Sequence, residues 1–392
     1  MGASGLEVGL IFSLQTLGFA IFSPVAGRLT RRRMRRQAVF AGAVVRAGSY
    51  LGMAGAIVLG SVQLLIANSL VWGFGAAFYL VGMDAEISES VDRSKRSEAF
   101  GRREGANAGG SITGAFVGFL MISLFEVYYV FVFFAVMNVV GGLVALTGPS
   151  VPQGSQSDEQ LSHRRDKLRT ALVLLIVASS LSAFTGALLS PFVEVFILFL
   201  FPSIAIQLLA LVYLPGAILS ATLGGAIGRV ADRSNKTHVV VVAVVIGAIC
   251  TLLLAFVDGY VSVLLEVFPA LLPLGENGIA LVLIAILFSA QSVVGLLAYT
   301  VMTSVFGTAY EGRAGEGFGL YEGALGSARF LGPLTGGFLW DTVSEKSPFI
   351  LVSAAGLMVA PVYYAAMKLY GRSLTDNRTV PEPRQNGLSQ EV

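Results

Sequence analysis

The stretch Gly27-Arg-Leu-Thr-Arg-Arg-Arg-Met-Arg-Arg36 decides the fold, because it recurs in altered form as Gly228-Arg-Val-Ala-Asp-Arg-Ser-Asn-Lys236. Each copy follows one long apolar stretch and precedes the next. A second repeated pair reads Glu98-Ala-Phe-Gly-Arg-Arg-Glu-Gly-Ala106 and Glu316-Gly-Phe-Gly-Leu-Tyr-Glu-Gly-Ala324. The first pair is offset by 201 positions and the second by 218. Repeats of this length predict two related halves, each a bundle of membrane helices.

Composition places the chain in a membrane. It is 55% hydrophobic and only 13% charged, whereas soluble domains carry about 25% charged residues. A lone cysteine, Cys250, excludes a disulfide within the chain. Two histidines, His163 and His238, are too few for a metal site, so we expect neither a metal nor a cofactor. We therefore predict an all-α integral membrane protein.

Eleven segments are long and apolar enough to span a bilayer as helices, since a span needs about 20 residues. Five of them precede a polar linker and six follow it. The predicted organisation is an N-terminal bundle (1–148), a cytoplasmic linker (149–170), a C-terminal bundle (171–370) and a disordered cytoplasmic tail (371–392). The apolar stretch 259–278 is predicted to lie along the membrane surface. The predicted spans are 6–27, 38–60, 62–83, 105–124, 127–148, 171–191, 204–227, 239–257, 279–306, 317–340 and 348–370.

The basic residues predict the orientation. Of the 26 Lys and Arg residues, 23 lie in loops and ends on one side of the predicted topology, and the opposite side holds only Lys346. Because basic loops stay in the cytoplasm, we expect the C-terminus to be cytoplasmic and the N-terminus, as the chain stands, to be outside. The expected location is the plasma membrane.

The two loop copies resemble the signature of the major facilitator superfamily, Gly-x-Leu-x-Asp-Arg-x-Gly-Arg-Arg, which follows helices two and eight in that family. In the first copy, Arg31 replaces the acidic residue and Met34 replaces the second glycine. The residues that match the signature are Gly27, Leu29, Arg32, Arg35 and Arg36 in the first copy and Gly228, Asp232, Arg233 and Lys236 in the second.

The chain departs from this family in one respect. The family has twelve helices, and here the first loop signature follows the first span. Either Met1 is not the true start or the helix that corresponds to the family's first is absent. The resemblance otherwise implies a two-bundle fold with about eleven helices, five and six, related by a pseudo-twofold axis.

The family's Gly-Pro-x-x-Gly-Gly motif is similar to a stretch in the tenth predicted span. Its counterpart in the first half is degraded. Small residues four apart let helix backbones approach closely in lipid, so we interpret these glycines as packing positions. They are Gly332, Pro333, Gly336 and Gly337 in the second half and Gly114 and Gly118 in the first.

The repeated loops look like latches between the halves. A helix N-terminus carries partial positive charge and unpaired N–H groups, so Asp232 could cap the start of a helix in the opposite half. We predict one latch in which Asp232 and Arg233 lie near the helix of Glu104. A second would place Arg31 or Arg32 near the helix of Glu322. The alternative is that these charges only anchor the loops at the lipid headgroups.

Polar residues inside spans are costly and are candidates for function. Arg329 would either bind an anionic group of a substrate or pair with Glu322. Glu104 and Glu322, about one turn inside their spans, are the candidates for coupling or gating. The cavity candidates, any of which could instead only tie helices together, are Gln15, Asn68, Trp72, Asn107, Gln291 and Arg329.

The resemblance implies a secondary transporter that works by alternating access. Because the cavity candidates are mostly neutral and aromatic, we expect a small amphiphilic organic solute and its export. Coupling to protons is one hypothesis, and sodium coupling and facilitated diffusion are the alternatives. Uptake of a nutrient or metabolite is one alternative, and a membrane receptor or assembly subunit that does not transport is another. The chain shows no catalytic constellation, so we expect no enzyme. We also expect no nucleic-acid partner, membrane lipid as the surroundings, and a monomer.

Overall fold

The protein is a bundle of α-helices in the computed structural model, and the described part contains no strand. The structure describes residues 5–30, 34–147, 165–203, 210–268, 273, 275–311 and 313–375. In chain order the helices are α1 (Gly5–Leu29), α2 (Arg35–Val58), α3 (Val62–Ser90), α4 (Arg96–Leu124), α5 (Tyr128–Thr147), α6 (Arg165–Leu189), α7 (Val193–Leu200), α8 (Ala210–Arg233), α9 (Lys236–Ala255), α10 (Val257–Val267), α11 (Gly275–Ala309), α12 (Ala314–Thr342) and α13 (Ser347–Thr375).

Eleven of these helices have 20 residues or more and correspond one to one with the eleven predicted spans. Only helices satisfy every backbone polar group within a single segment in lipid, which is why the apolar runs fold in this way. Nine of the eleven are apolar enough throughout a membrane-length window to cross a bilayer by composition alone. The other two are α4 and α12, which carry charge at their starts and pack between the halves. The all-α, two-bundle fold is confirmed.

Several predicted boundaries differ from those observed. The third span was predicted to end at residue 83 and the fourth to begin at residue 105, but α3 continues to Ser90 and α4 begins at Arg96. The stretch predicted as a surface loop contains α10, which follows α9 after a break at Phe256. Residues 165–170 of the predicted linker belong to α6, and 371–375 of the predicted tail belong to α13. The remainder of the linker and of the tail lies outside the described residues.

The helices form two groups, α1–α5 and α6–α13, which we call the N-half and the C-half. In the N-half, α3 packs along α1 and α2, and α2 packs along α5. In the C-half, α6 packs along α12 and α13, while α11 packs along α8 and α9. Two long contacts join the halves, one between α1 and α12 and the other between α4 and α8. These are equivalent contacts in the two repeats.

The pseudo-twofold relation is visible in a single pair of rings. Phe100 on α4 and Phe318 on α12 stand 218 positions apart in the repeat. Both are fully buried, and their ring centroids lie 5.8 Å apart across the boundary between the halves. The phenylalanine of each repeated motif therefore packs against its own counterpart.

Glycines bring the backbones of the two halves together. A Cβ atom on Gly101 would collide with the carbonyl oxygen of Gly224 on α8, and one on Gly27 would collide with the carbonyl oxygen of Gly315 on α12. A Cβ on Gly319 would stand 2.6 Å from the carbonyl oxygen of Ser23. Contacts this close exclude any side chain, so the halves are pressed together here. We call this end, where α1 ends and α4 begins, the basic side.

The two glycine stripes predicted as packing motifs differ in their surroundings. A Cβ on Gly332 would meet the backbone of α6 at 2.7 Å, and one on Gly336 would collide with α6 at Leu188. The matching positions on α4 are open: the nearest atoms to a Cβ on Gly114 or Gly118 lie 3.8 Å away, on α5. The C-half stripe seats a neighbouring helix, and the N-half stripe makes only ordinary contacts in the described part of the chain. Pro333 and Gly337 lie within the C-half stripe on α12, and the ring of Phe192 lies 3.6 Å from a Cβ on Gly337.

Candidate functional site

Arg103 on α4 is the centre of a charged cluster at the boundary between the halves. Its guanidinium donates a 2.6 Å hydrogen bond to the hydroxyl of Tyr299 on α11 and also contacts the carboxylate of Glu104. A third partner is Asp84 on α3, 3.6 Å from Nη2. Arg103 therefore links the N-half to the C-half through side chains that are largely removed from water.

Asp84 is the most deeply buried acid of this group, with 1% of its surface exposed. One of its carboxylate oxygens has no hydrogen-bond partner among the described residues. A buried charge without full hydrogen bonding is unfavourable, so the state of Asp84 depends on the charges around it. Besides Arg103, these include the carboxylates of Glu104 and Glu322.

Glu322 contributes to this cluster from the C-half. It lies eight residues inside α12, about 12 Å along the axis, and is 5% exposed. Arg329, two turns further along α12, contacts it at 3.5 Å and remains 38% exposed. The structure thus places the two residues in an ion pair. We call Asp84, Arg103, Glu104, Tyr299 and Glu322 the central cluster.

The central cluster has one carboxylate too many. Its three acids face the single guanidinium of Arg103, and Arg329 at the margin adds a second cation. Like charges held together in a poorly hydrated site repel one another strongly, so this arrangement leaves one carboxylate without a guanidinium partner. Asn107, a predicted cavity residue, lies beside the cluster and donates to Glu104 at 3.3 Å.

The sequence pointed to part of this cluster only. Glu104 and Glu322 were among the predicted residues, as were the neighbouring Asn107 and Arg329. Asp84, Arg103 and Tyr299 were not. Asp84 was missed because the predicted span was ended before its charge. Its signal was an acid followed by six more helix-forming residues, which is the pattern of a helix that continues beyond the apolar window.

The start of α4 is capped by an acid from the other half. Asp232, at the end of α8, accepts hydrogen bonds from the backbone N–H groups of Ser97 at 3.1 Å and Glu98 at 2.9 Å. Gly228, one turn earlier, allows this approach because a Cβ there would stand 2.6 Å from Cα of Glu98. The predicted partner helix of Asp232 was that of Glu104, which is α4, and the structure brings the two together.

The acid at the start of α12 comes from a different element. The loop residues Arg31 and Arg32 lie outside the described residues. The backbone N–H of Ala314 is instead 3.4 Å from a carboxylate oxygen of Glu89, which comes from α3. Glu89 also forms a 2.6 Å ion pair with the buried Arg35. The acid at this helix start therefore belongs to α3 rather than to the repeated loop.

The remaining signature residues contact their own half or solvent. Arg36 pairs with Glu86 at 3.0 Å. Lys236 donates to the hydroxyl of Ser304 at 2.7 Å. Leu29 and Arg233 are exposed. Among the described residues, Arg233 makes no hydrogen bond or ion pair with α4, unlike Asp232.

A further link between the halves was not predicted. Arg96, at the start of α4 and 2% exposed, donates to Thr308 at 3.0 Å and to Glu311 at 3.0 Å. Arg93 also donates to Glu311. Burial by itself raises the pKa of the Glu311 carboxyl, but the hydrogen bonds and charges of Arg93 and Arg96 outweigh it and hold that pKa below its usual range. Glu311 is therefore a stable acceptor at neutral pH.

Three predicted cavity residues tie helices within one half. The side-chain amide of Asn68 donates to the backbone carbonyl oxygen of Leu64 on its own helix, and the backbone carbonyl oxygen of Asn68 accepts from Ser49 on α2 at 2.6 Å. The amide of Gln291 on α11 donates to Thr251 on α9 at 2.7 Å. Gln15 on α1 is half-buried where its backbone carbonyl packs against α3. These contacts favour the structural alternative for Asn68 and Gln291, while the contact of Gln15 is made by its backbone.

Trp72 lies beneath a cation. The guanidinium of Arg46 on α2 is 4.8 Å from the Trp72 ring centroid and 5.1 Å from that of Tyr79. Cation–π contacts of this kind stabilise a charge that would otherwise be costly in lipid.

Among the described residues no group of His, Cys, Asp and Glu is arranged to hold a metal ion.

Comparison with known proteins agrees with this architecture. The profile of the Major Facilitator Superfamily matches residues 1–310. A curated relative, the multi-drug resistance efflux pump PmrA homolog of Lactococcus lactis subsp. lactis (strain IL1403), is 24% identical over 279 residues. That match covers 66% of this chain and 65% of the relative, so the chain spans about two thirds of the length of that protein.

Three solved structures share the fold at low sequence identity. The proton:xylose symporter XylE has a TM-score of 0.68 at 14% identity, and covers 91% of this chain and 85% of its own. The fucose:proton symporter FucP of E. coli has a TM-score of 0.67 at 12% identity, with coverages of 93% and 91%. The human organic anion transporter MFSD10 has a TM-score of 0.65 at 17% identity, with coverages of 91% and 83%.

Proposed function

The chain belongs to the major facilitator superfamily, and we propose that it is a proton-coupled secondary transporter that exports small amphiphilic organic solutes from the cell. The proposal has three parts: that protons are the coupling ion, that the solute is amphiphilic, and that the direction is outward. Each part rests on a different observation.

Proton coupling rests on the central cluster. Asp84 and Glu322 come from opposite halves and are both nearly fully buried. Together with Glu104 they supply three carboxylates against the two guanidinium groups of Arg103 and Arg329. Protonation of Asp84 would remove its attraction to Arg103, the residue that also donates to Tyr299 in the C-half, and so change the position of the side chain that links the halves. Proton binding would in this way be linked to the separation of the halves.

Alternating access rests on the closed basic side. The glycine contacts, the cap by Asp232 and the bridge from Arg96 to Glu311 all lie there. Since basic loops remain in the cytoplasm, we assign the basic side to the cytoplasmic face of the plasma membrane. This conformation would then be closed towards the cytoplasm. Rocking of one half against the other would break these contacts and open that side.

Export and an amphiphilic solute rest on the relative from Lactococcus and on polar and aromatic side chains within the spans. That relative is described as a multi-drug resistance efflux pump. Trp72, whose ring is partly buried beneath Arg46, and Asn107, which contacts Glu104, offer apolar and hydrogen-bonding surface. Arg329, 38% exposed, keeps a solute with an anionic group within this proposal. A transport function accounts for the architecture without an enzymatic step.

Flux in proteoliposomes tests the proposal. Ethidium serves as the amphiphilic probe, and an imposed pH gradient supplies the driving force. We expect accumulation on the acidic side, and at least a tenfold loss of gradient-driven flux for Asp84→Asn and for Glu322→Gln. Asp341→Asn is the matched control, because Asp341 is exposed near the far end of the same helix as Glu322.

Each other outcome contradicts a stated part. Flux that ignores the pH gradient would exclude proton coupling. Movement of solute together with protons would exclude export and favour an uptake permease. A folded protein that moves no solute from a panel of amphiphiles, sugars and organic anions would favour the receptor or assembly subunit.

A further inference from the structure

Arg46 lies in the middle of a membrane span without an acidic partner among the described residues. It stands eleven residues after Arg35, the first residue of α2, which is about 17 Å along the helix axis. The hydrocarbon core of a bilayer is about 30 Å thick, so Arg46 is near its centre. Within the described part of the chain its guanidinium makes neither an ion pair nor a hydrogen bond, and its Nε is buried. A cation at this depth is costly unless another group compensates for it.

One face of α3 holds this side chain. Trp72, Gly75 and Tyr79 are spaced by three and four residues, so they lie on the same face of the helix. The guanidinium lies 4.8 Å from the Trp72 ring centroid and 5.1 Å from that of Tyr79. A Cβ on Gly75 would stand 2.8 Å from Cγ of Arg46, so the glycine leaves the room that the arginine stem occupies. We call Arg46, Trp72, Gly75 and Tyr79 the arginine seat.

The C-half makes the corresponding helix contact without a cation. α2 and α9 begin 201 positions apart, and this offset relates Arg46 to Gly247. The nearest atom to a Cβ on Gly247 is Cγ2 of Val294 on α11, at an ordinary 3.8 Å. The offset of 218 relates the three α3 residues of the arginine seat to apolar residues of α11, namely Ala290, Val293 and Leu297. Packing of this helix pair therefore does not require a charge, and the arginine seat is particular to the N-half.

Two nitrogen donors of the arginine seat lack acceptors. Nε of Arg46 and Nε1 of Trp72 are both buried, and neither has a hydrogen-bond partner among the described residues. A buried donor without an acceptor is unfavourable, and one of these two belongs to a cation. The aromatic rings attract the charge, but the N–H groups in the plane of the guanidinium need oxygen acceptors. The chemistry of the seat therefore calls for an acceptor that carries negative charge.

We propose that the arginine seat binds the carboxylate group of an amphiphilic solute. The two oxygens of a carboxylate match the fork of a guanidinium, and the Trp72 N–H adds a further donor. A single carboxylate also neutralises the single charge of Arg46, whereas a phosphate dianion would leave a negative charge within the span. This inference rests on the proposed function and narrows its solutes to those that carry a carboxylate.

The surroundings of the seat favour an apolar body for this solute. Arg46, Trp72 and Tyr79 are each only partly buried, so a ligand can reach them. Trp72 also packs against the main hydrophobic cluster of the protein. An aromatic or aliphatic body beside the carboxylate would lie against these rings, which offer large apolar faces. The ligand class is therefore an organic acid with an apolar body rather than an inorganic anion.

Isothermal titration calorimetry of the purified full chain in detergent tests this with two probes, 2-naphthoate and 2-naphthamide, which share a ring system and differ in charge. We expect naphthoate to bind at least tenfold more tightly. Arg46→Gln should abolish this preference by weakening naphthoate alone. Arg46→Lys, which keeps the charge without the fork, should retain part of it, and Trp72→Phe, which keeps a ring without the N–H, should reduce it. Arg229→Gln removes an exposed cation of the basic side and is the matched control that should retain the full preference.

Other outcomes overturn the proposal. Equal affinity of the two probes for the unaltered chain would exclude recognition of the carboxylate. A lower melting temperature of Arg46→Gln with both affinities unchanged would show that Arg46 serves only the packing of α2 on α3. A preference lost in Arg329→Gln and kept in Arg46→Gln would assign the carboxylate to Arg329. If Arg46→Gln does not fold, an unchanged preference in both Arg46→Lys and Trp72→Phe would exclude the seat.

Flux distinguishes failure of this site from failure of the transport function. Proteoliposomes that move ethidium under a pH gradient, made from a chain that shows no preference for naphthoate, would exclude the carboxylate site and leave transport standing. Binding of naphthoate that depends on Arg46, without gradient-driven flux of either naphthoate or ethidium, would establish the site and exclude transport.

Discussion

The α4–α8 and α1–α12 contacts have the same backbone packing and different electrostatics. In both, glycines of one half meet backbone of the other, through Gly101 and Gly224 in the first and Gly27 and Gly319 in the second. The α4–α8 contact adds the cap by Asp232 and the ion triad that Glu98 forms with Arg102 and Arg229. At the equivalent positions of the α1–α12 contact the sequence has Arg31 in place of Asp232 and Leu320 in place of Arg102.

This difference shows that the fold requires the backbone packing of these contacts and can vary their charges. Both repeats retain the close packing of glycine against backbone. A carbonyl oxygen packed against a glycine leaves no room for a Cβ, so no other residue fits there. Charges near the surface contribute less because water and salt screen them, and one repeat has lost them. Asymmetry of this kind gives the two contacts unequal strength, and the α4–α8 contact should be the more firmly closed.

The largest effect is expected where the packing is shared. Gly101→Ala should destabilise the protein by about 1–3 kcal/mol, as overpacking does, and open the basic side. Gly319→Ala should have the same two effects in the α1–α12 contact. Thermal unfolding measures the loss of stability. Gly110→Ala on α4 is the control: a Cβ there has open space, so the change should be neutral or stabilising. If Gly319→Ala were equally harmless, the two contacts would not share their packing.

The cap should give the next largest effect. Asp232→Asn removes the charge that faces two N–H groups at the start of α4, and loss of a cap costs about 1 kcal/mol. We expect faster thiol labelling of a cysteine placed at Ser220, beside Gly105, in a Cys250→Ala background. Arg233→Gln, which changes an exposed neighbour, should leave the labelling rate unchanged. An unaltered rate in Asp232→Asn would show that the cap does not hold the contact closed.

The bridge from Arg96 to Glu311 lies between the two contacts and should respond to acid. Because the pKa of Glu311 is depressed, its contribution is fully present above the usual glutamate pKa of about 4.3. It is lost only as the pH falls through the lower folded-state pKa. The part of any change in spin-label distance between the basic-side ends of α4 and α12 that depends on Glu311 should therefore be absent from about pH 8 to about pH 5. A change within that range that disappears in Glu311→Gln would contradict this assignment.

The sequence was informative about the helices and the repeat for a clear physical reason. Lipid requires about 20 apolar residues and internal hydrogen bonding of each span, so the eleven spans could be identified one by one. The duplicated loops also predicted which helix Asp232 would reach, because a repeat fixes equivalent neighbours. Both inferences depend on constraints that act along the chain.

The candidate site was less accessible because it depends on which face of a helix meets which neighbour. Gln291 and Asn107 are both neutral polar residues in apolar spans, yet one ties α11 to α9 and the other lies at the central cluster. Periodicity does not distinguish these faces. Asp84 was missed for a related reason: a charge ends an apolar window, but the helix continues because the C-half covers it.

The smallest effect should come from the ion triad, and it is the sharpest test of the asymmetry. Glu98 pairs with Arg102 and Arg229, which are 69% and 47% exposed, so the attraction is screened by salt, whose Debye length is about 10 Å at 0.1 M. Glu98→Gln should lower the melting temperature slightly at low ionic strength and not at high. Glu316→Gln, the same change in the other repeat, should show no such dependence because its basic partner is 4.0 Å away. Equal salt dependence in the two variants would mean that Glu316 forms an equally strong ion pair in solution, and the two contacts would then differ in the cap alone.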